Sequence, residues 1–210
     1  RTPLTSLRTN IETLTRADEL PEIERRQLLA DVKEQLVELS VLVADLVDLA
    51  RESSLDRGED DYTEIRLDTL VEEAVMRARR YARGLAFESA LEPCLISGVV
   101  ARIDRAIANL LDNAIKWSPS GGVVEVSVAD GEVVVRDHGS GIDEEDLPHV
   151  FDRFYRATSS RGLPGSGLGL AIVKQVAELH GASLSAANAE DGGARIVLRF
   201  PILEGAEEKS

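Results

Sequence analysis

The 210-residue chain carries 24 Lys and Arg against 38 Asp and Glu, a formal net charge of −14. That balance argues against non-specific DNA or RNA binding, which rests on basic side chains neutralising phosphates, while leaving room for a small anion in a locally positive pocket. The 43% apolar content suffices for a core, one cysteine excludes an internal disulfide or a Cys-rich zinc site, and no apolar run approaches the ~18–20 residues that cross a bilayer.

Residues 1–50 contain no glycine and are predicted helical. Leu4, Leu7, Ile11 and Leu14 recur at steps of three and four. Residues 17–21, Ala-Asp-Glu-Leu-Pro, break the pattern, and a second helix is predicted from Pro21, a good first-turn residue. Its stripe is Val32, Leu36, Leu39, Val43, Leu46 and Ala50, the spacing of a bundle seam. Two helices with one stripe each are best buried as a hairpin that dimerises into a four-helix bundle. A homodimer through residues 1–57 is therefore expected. Polar residues 51–61, with Gly58, mark the expected boundary between domains at 1–57 and 58–210.

Beyond it, Leu67 to Arg83 reads as a helix with Leu70, Val71, Ala74, Val75 and Ala78 inward. Leu85 to Ala90 reads as a strand. Val100 to Trp117 is a strongly periodic helix on Ile103, Ile107, Leu110, Leu111 and Ala114. Val123–Ala129 and Glu132–Asp137 alternate with period two across Asp130-Gly131, a hairpin signal. A short helix is predicted within Glu144–Phe154, a glycine-rich loop over Arg156–Gly169, and a helix over Leu170–Leu179 that ends at Gly181. A last hairpin is predicted from Ser183–Ala187 and Arg195–Phe200, with Asp191-Gly192-Gly193 near its turn. Helices among antiparallel hairpins predict an α+β layer structure, one sheet covered by helices on one face. No strand–helix alternation supports a Rossmann fold.

Three segments carry chemistry. In Asn109-Leu-Leu-Asp-Asn113-Ala-Ile-Lys116-Trp117, Asn109, Asn113 and Lys116 share one helix face. Asn is a poor helix-interior residue, so two on one face suggest a role other than helix stability. A side-chain amide oxygen is a hard ligand suited to Mg²⁺, and Lys116 offers a point charge to phosphate. Asp137-His-Gly139-Ser-Gly141 follows a strand. Its glycines permit close backbone approach, and its carboxylate can accept a hydrogen bond from an exocyclic amine such as that of adenine. Gly165-Ser-Gly167-Leu168-Gly169 opens a helix, whose N-terminus and exposed backbone N–H groups bind phosphate. It is not a P-loop, because Leu170 stands where the Lys-Ser/Thr would begin.

These segments, in this order and with Phe151-Asp-Arg-Phe154 between the second and third, resemble the asparagine, first glycine, phenylalanine and second glycine boxes of sensor histidine kinases of two-component signalling. Their ATP-binding domain is grouped with gyrase, Hsp90 and MutL. Arg1-Thr2-Pro3-Leu4 resembles the tail of the family's phosphoacceptor motif, usually Ser-His-Glu-Leu-Arg-Thr-Pro-Leu, so the resemblance covers nearly the whole chain. It implies an α/β sandwich of the Bergerat (GHKL) type behind the helical hairpin, with ATP and Mg²⁺ as cofactors. By that resemblance Asp137 recognises the adenine amino group, flanked by Gly139 and Gly141. Asn113 holds Mg²⁺ with Asn109 in the metal–phosphate network, and Lys116 contacts phosphate. Trp117 stands where the family usually carries Tyr; either ring can pack beside adenine. Arg156 to Ser166 would be the ATP lid, with Arg156 and Arg161 as candidate phosphate contacts and Gly165, Gly167, Leu168 and Gly169 at its far end. Phe151 and Phe154 would anchor the lid by packing.

ATP-hydrolysing relatives place a carboxylate one turn before the metal-binding Asn. Here that residue is Asn109, whose amide cannot act as a general base, so the resemblance implies transfer rather than rapid hydrolysis. The three histidines, His138, His149 and His180, fall outside the predicted hairpin and read as structural or solvent-facing. The phosphoacceptor histidine is expected just upstream of Arg1 in a longer parent, and the chain as given would not autophosphorylate. Thr2 matches the position linked to dephosphorylation of the partner. The implied partner is the receiver domain of a response regulator, and the chain would be a soluble cytoplasmic portion of a parent anchored in the cell membrane. A dimeric module that binds nucleotide without phosphoryl transfer remains the alternative.

Overall fold

A computed structural model of the chain describes residues 10–13, 21, 24–32, 62–156 and 166–203. The chain divides into two compact units, residues 1–56 with 162–166 and residues 57–161 with 167–210. In the first, residues 10–13 and 24–32 are helical. The Pro21 carbonyl accepts the Arg25 N–H at 3.0 Å, a helical bond that puts Pro21 in a first turn. The seam positions from Leu36 to Ala50, the boundary at 51–61, Thr2, Arg161 and Gly165 lie outside the described residues. Among the described residues no helix is long and apolar enough to cross a membrane.

The second unit begins with strand β1 (Thr63–Arg66) and helix α1 (Leu67–Tyr81), followed by β2 (Ala86–Leu91), β3 (Leu95–Gly98) and helix α2 (Val100–Trp117). Then come β4 (Val123–Ala129), β5 (Glu132–Arg136), helix α3 (Gly169–Leu179), β6 (Ser183–Asn188) and β7 (Ala194–Arg199). Five strands form one sheet in the order β2-β4-β5-β7-β6. Only β2 and β4 run parallel; the other neighbours are antiparallel.

Period-two alternation decides the two faces of this sheet. Val124, Val126, Val128, Val133, Val135, Ile196 and Leu198 are buried on one side, and the register sets Val126 opposite Val135 and Val135 opposite Ile196. The other face pairs charge across strands: Arg199 donates to Glu132 through Nε at 3.0 Å and Nη2 at 2.6 Å. Helix α1 packs over β2 and β4, α2 over β5 and α3 over β6, with α2 in the middle touching both other helices. Its stripe of Ile103, Ile107, Leu110, Leu111 and Ala114 is buried, as its periodicity requires. In the β4–β5 turn, Asp130 and Gly131 have φ of 48° and 76°, the positive values a two-residue hairpin demands.

Several element ends lie one or two residues from the sequence reading, and three differences bear on the fold and the site. Strands β1 and β3 were not anticipated. They pair antiparallel as a separate two-stranded sheet, Thr63 opposite Gly98 and Ile65 opposite Ile96. Each has four residues, too few for a period to show, and their paired residues lie 29 to 35 positions apart. The helix expected within Glu144–Phe154 is only a 3₁₀ turn, Leu147–His149. Pro148 sits inside it, and Phe154 takes φ of 62°, which no right-handed helix allows. Helix α3 starts at Gly169 and not Leu170, so the last glycine of the loop belongs to the helix.

Candidate functional site

The site grows from helix α2. With its apolar stripe committed to the core, the sequence leaves Asn109, Asn113 and Lys116 on an adjoining, half-buried face. Asn109 Nδ2 donates to the Arg105 carbonyl one turn back at 3.0 Å, turning its Oδ1 toward the start of α3. A Cβ at Gly169 would lie 3.1 Å from that oxygen, so a side chain at Gly169 would crowd the amide. The Asn113 amide makes no hydrogen bond with other described residues. Lys116 Nζ lies 5.4 Å from the centroid of the Trp117 ring, a cation–π contact.

The C-terminal end of α2 meets the loop after β5. A Cβ at Gly139 would stand 2.3 Å from the Trp117 carbonyl oxygen, so only glycine lets loop and helix approach this closely. Asp137, the first residue of the loop, is 2% exposed. Its backbone N–H donates to the Ala194 carbonyl at 3.0 Å. Its Oδ1 accepts the N–H of Gly139 at 2.8 Å and of Ala194 at 3.2 Å. No hydrogen bond from the described residues reaches Oδ2. Oδ2 is therefore the acceptor this carboxylate still has to offer.

Charged neighbours ring this loop. His138 Nε2 lies 2.6 Å from Glu125 Oε1, and Arg136 Nη1 is 3.5 Å from the same carboxylate. Arg136 also bonds Asp191 in the β6–β7 turn, and the guanidinium holds that carboxyl below its ordinary value. At the far end of the loop, Gly141 takes φ of 76°.

The second glycine segment meets the phenylalanine segment through backbone. Phe154 N–H donates to the Gly167 carbonyl at 3.0 Å, and a Cβ at Gly167 would sit 2.6 Å from the Tyr155 carbonyl oxygen. Leu168 is 1% exposed; its side chain belongs to the core and only its backbone faces the loop. The expectation that both phenylalanines pack as anchors is corrected. Phe151 is half-buried, but Phe154 is 60% exposed, because its left-handed backbone turns the ring outward. Tyr155, next in the chain, donates from its hydroxyl to Asp146 Oδ1 at 2.5 Å. Arg156 is half-buried beside it.

Around α2, which carries Asn109, Asn113, Lys116 and Trp117, the structure thus sets Gly139, two residues after Asp137, against Trp117 and Gly169, next to Leu168, against Asn109, whereas Gly141 meets Asn188 and Gly167 meets Phe154 and Tyr155. Arg161 and Gly165 cannot be placed with them, lying outside the described residues. Sequence reasoning missed the β6–β7 hairpin as part of the site. Ala194 holds Asp137, and a Cβ at Gly193 would lie 1.9 Å from the Asp137 carbonyl oxygen. In the sequence the Gly192-Gly193 pair signals only a turn. The histidines all have protein partners: His149 Nδ1 is 3.0 Å from Asp152, and buried His180 contacts the Val176 carbonyl at 2.8 Å and accepts the Val99 N–H at 3.1 Å.

Comparison with known proteins shows the family. The family model described as "Histidine kinase-, DNA gyrase B-, and HSP90-like ATPase" matches residues 98–204, and "His Kinase A (phospho-acceptor) domain" matches residues 1–55. The signal transduction histidine-protein kinase/phosphatase MprB of Mycobacterium avium is 45% identical over 203 residues, covering 92% of this chain and 38% of that protein. The chain thus spans about two-fifths of the length of the curated relatives it matches. Among solved structures, the mycobacterial sensor histidine kinase MprB superposes with a TM-score of 0.61 at 36% identity, over 67% of this chain and 97% of that one. The ATP-binding domain of PrrB from Mycobacterium tuberculosis gives 0.56 at 30% identity, over 69% and 99%. The chain belongs to the sensor histidine kinases of two-component signalling, and its second unit has their α+β ATPase fold.

Proposed function

We propose that the chain is the cytoplasmic kinase core of its parent, binding ATP with Mg²⁺ and donating the γ-phosphoryl to a histidine just before Arg1, from which it passes to an aspartate on a response-regulator receiver domain. Residues 1–57 would form the dimerisation hairpin and residues 58–210 the nucleotide domain, in a parent anchored in the membrane. The observation that carries the reading is the convergence on α2. Gly139 abuts Trp117 and Gly169 abuts Asn109, while Asp137 Oδ2 and the Asn113 amide remain without partners among the described residues.

In this reading Asp137 accepts the adenine amino hydrogen through Oδ2. The amide oxygens of Asn113 and Asn109 fit a hard cation that takes few protein ligands; Mg²⁺ bound there would supply charge neutralisation at the phosphates. Lys116 adds a second positive charge, and Arg156 and Arg161 approach from the lid, with Gly165 and the backbone of Gly167 to Gly169 toward phosphate at the start of α3. The P–O bond to the γ-phosphorus breaks as an N–P bond forms at the acceptor imidazole; ADP leaves, and the ring proton passes to an acidic neighbour. Positioning supplies most of the rate. Asn109 offers no general base to activate water, which favours transfer over hydrolysis.

Replacing Asn113 by Ala is expected to raise the ATP dissociation constant roughly tenfold in Mg²⁺ and to change Mg²⁺-free binding little. Titration with and without EDTA measures both, and unchanged Mg²⁺ dependence would remove Asn113 from the metal site. The phosphoryl-transfer step is tested with labelled ATP on this chain and on one extended upstream by about two helical turns. Acid-labile, base-stable phosphate on the longer chain alone supports the kinase reading. Nucleotide binding with no label on either favours the dimeric nucleotide-gated module. That second reading rests on the sequence, in which none of His138, His149 and His180 falls within residues 1–57.

A further inference from the structure

Asn188 ends strand β6, where an asparagine is a poor strand former and an exposed one needs no partner. Yet both ends of its side-chain amide bond one residue of the Asp137–Ile142 loop. Oδ1 accepts the Ile142 N–H at 2.8 Å, and Nδ2 donates to the Ile142 carbonyl at 2.7 Å. The amide mimics one step of a neighbouring strand, bonding both backbone groups of a single residue. Gly141 is shaped to it: a Cβ there would stand 2.7 Å from Asn188 Oδ1.

The same β6–β7 hairpin holds the other end of the loop. Asn188 is paired in register with Ala194, and Ala194 exchanges bonds with Asp137. The segment from Asp137 to Ile142, with two glycines in it, is therefore hung between two points on one rigid hairpin. Without the second point, Gly139, Ser140 and Gly141 would lose conformational freedom only on binding, and affinity would bear that entropy.

We propose that Asn188 is a positioning residue for the nucleotide site, clamping the far end of the loop that begins with Asp137; this rests on the nucleotide reading above. It touches no reacting atom. Its chemistry requires one donor and one acceptor at a fixed distance and reach, which Asp and Ala do not supply and Gln places one methylene too far out.

The test uses the full chain carrying Asn188→Ala, which removes both bonds, and Asn188→Asp, which keeps the size but sets a carboxylate against the Ile142 carbonyl. ATP affinity is measured by calorimetry, amide hydrogen exchange at residues 139–142 by NMR, and melting temperature by circular dichroism. The expected result is a rise in ATP dissociation constant of about 5–10-fold in each variant, faster exchange at residues 139–142, and a melting temperature within about 3 °C of the parent chain. Wild-type affinity in both variants, or lost stability without faster exchange at residues 139–142, would overturn the proposal. If the unmodified chain itself binds no ATP, the nucleotide reading fails, and this proposal with it.

Discussion

Asp137→Asn is expected to raise the ATP dissociation constant about 100-fold, a loss of roughly 3 kcal/mol, while leaving the fold intact. The asymmetry of the two carboxylate oxygens gives the reason. Oδ1 is held by the N–H groups of Gly139 and Ala194, and an asparagine oxygen would stay with those two donors. The amide NH₂ is then forced into the position of Oδ2, where the adenine amino group also brings a donor. Two donors then face each other at a residue that is 2% exposed, and the adenine amine loses its acceptor. Calorimetry against ATP measures the loss, and a melting curve close to the parent's would show that the loop still stands. Undiminished affinity would take Asp137 out of the site.

Gly193→Ala is expected to cost stability on the order of 4 kcal/mol and to lower the melting temperature by about 10 °C. Two effects act together. Gly193 has φ of 83°, a conformation that costs an L-residue about 1–2 kcal/mol. The added methyl would also fall 1.9 Å from the Asp137 carbonyl oxygen, with the Asp137 carbonyl carbon at 2.7 Å and His138 Cα at 2.9 Å. All three are backbone, so no side chain can swing aside. The β6–β7 hairpin must part from the loop, taking the Ala194 bonds to Asp137 with it, and ATP affinity should fall alongside stability. Gly192→Ala is the matched control. Gly192 has φ of 98° and nothing near its missing Cβ, so it should cost no more than about 2 kcal/mol. Equal effects from the two substitutions would show that conformation, and not the close approach, makes Gly193 necessary.

The long helices were legible because their burial follows a period that composition alone records. Val100–Trp117 matches its helix end to end, since a stripe repeated over eighteen residues leaves little choice of face. The hairpin at Asp130-Gly131 was legible because positive φ at two successive residues restricts the residue types that can stand there. Strands β1 and β3 were not legible, because a four-residue strand has no measurable period and its partner is remote in sequence. The outward turn of Phe154 was hidden for a different reason: a positive φ at a non-glycine residue leaves no mark on composition.

Along the sequence, the residue types of the site could be read from local chemistry: two amides on one helix face, a carboxylate at a strand end, and glycines opening a helix. Each depends on neighbours within a few positions, and local spacing determines it. The tertiary structure alone decided what holds these groups in place. Asp137 is aimed by Ala194, packed by Gly193 and backed at the loop's far end by Asn188, all some fifty positions later in the chain. Their contribution arises from strand register and backbone approach across the sheet. Such contacts depend on distance in space, and a linear reading of residue types contains no term for it.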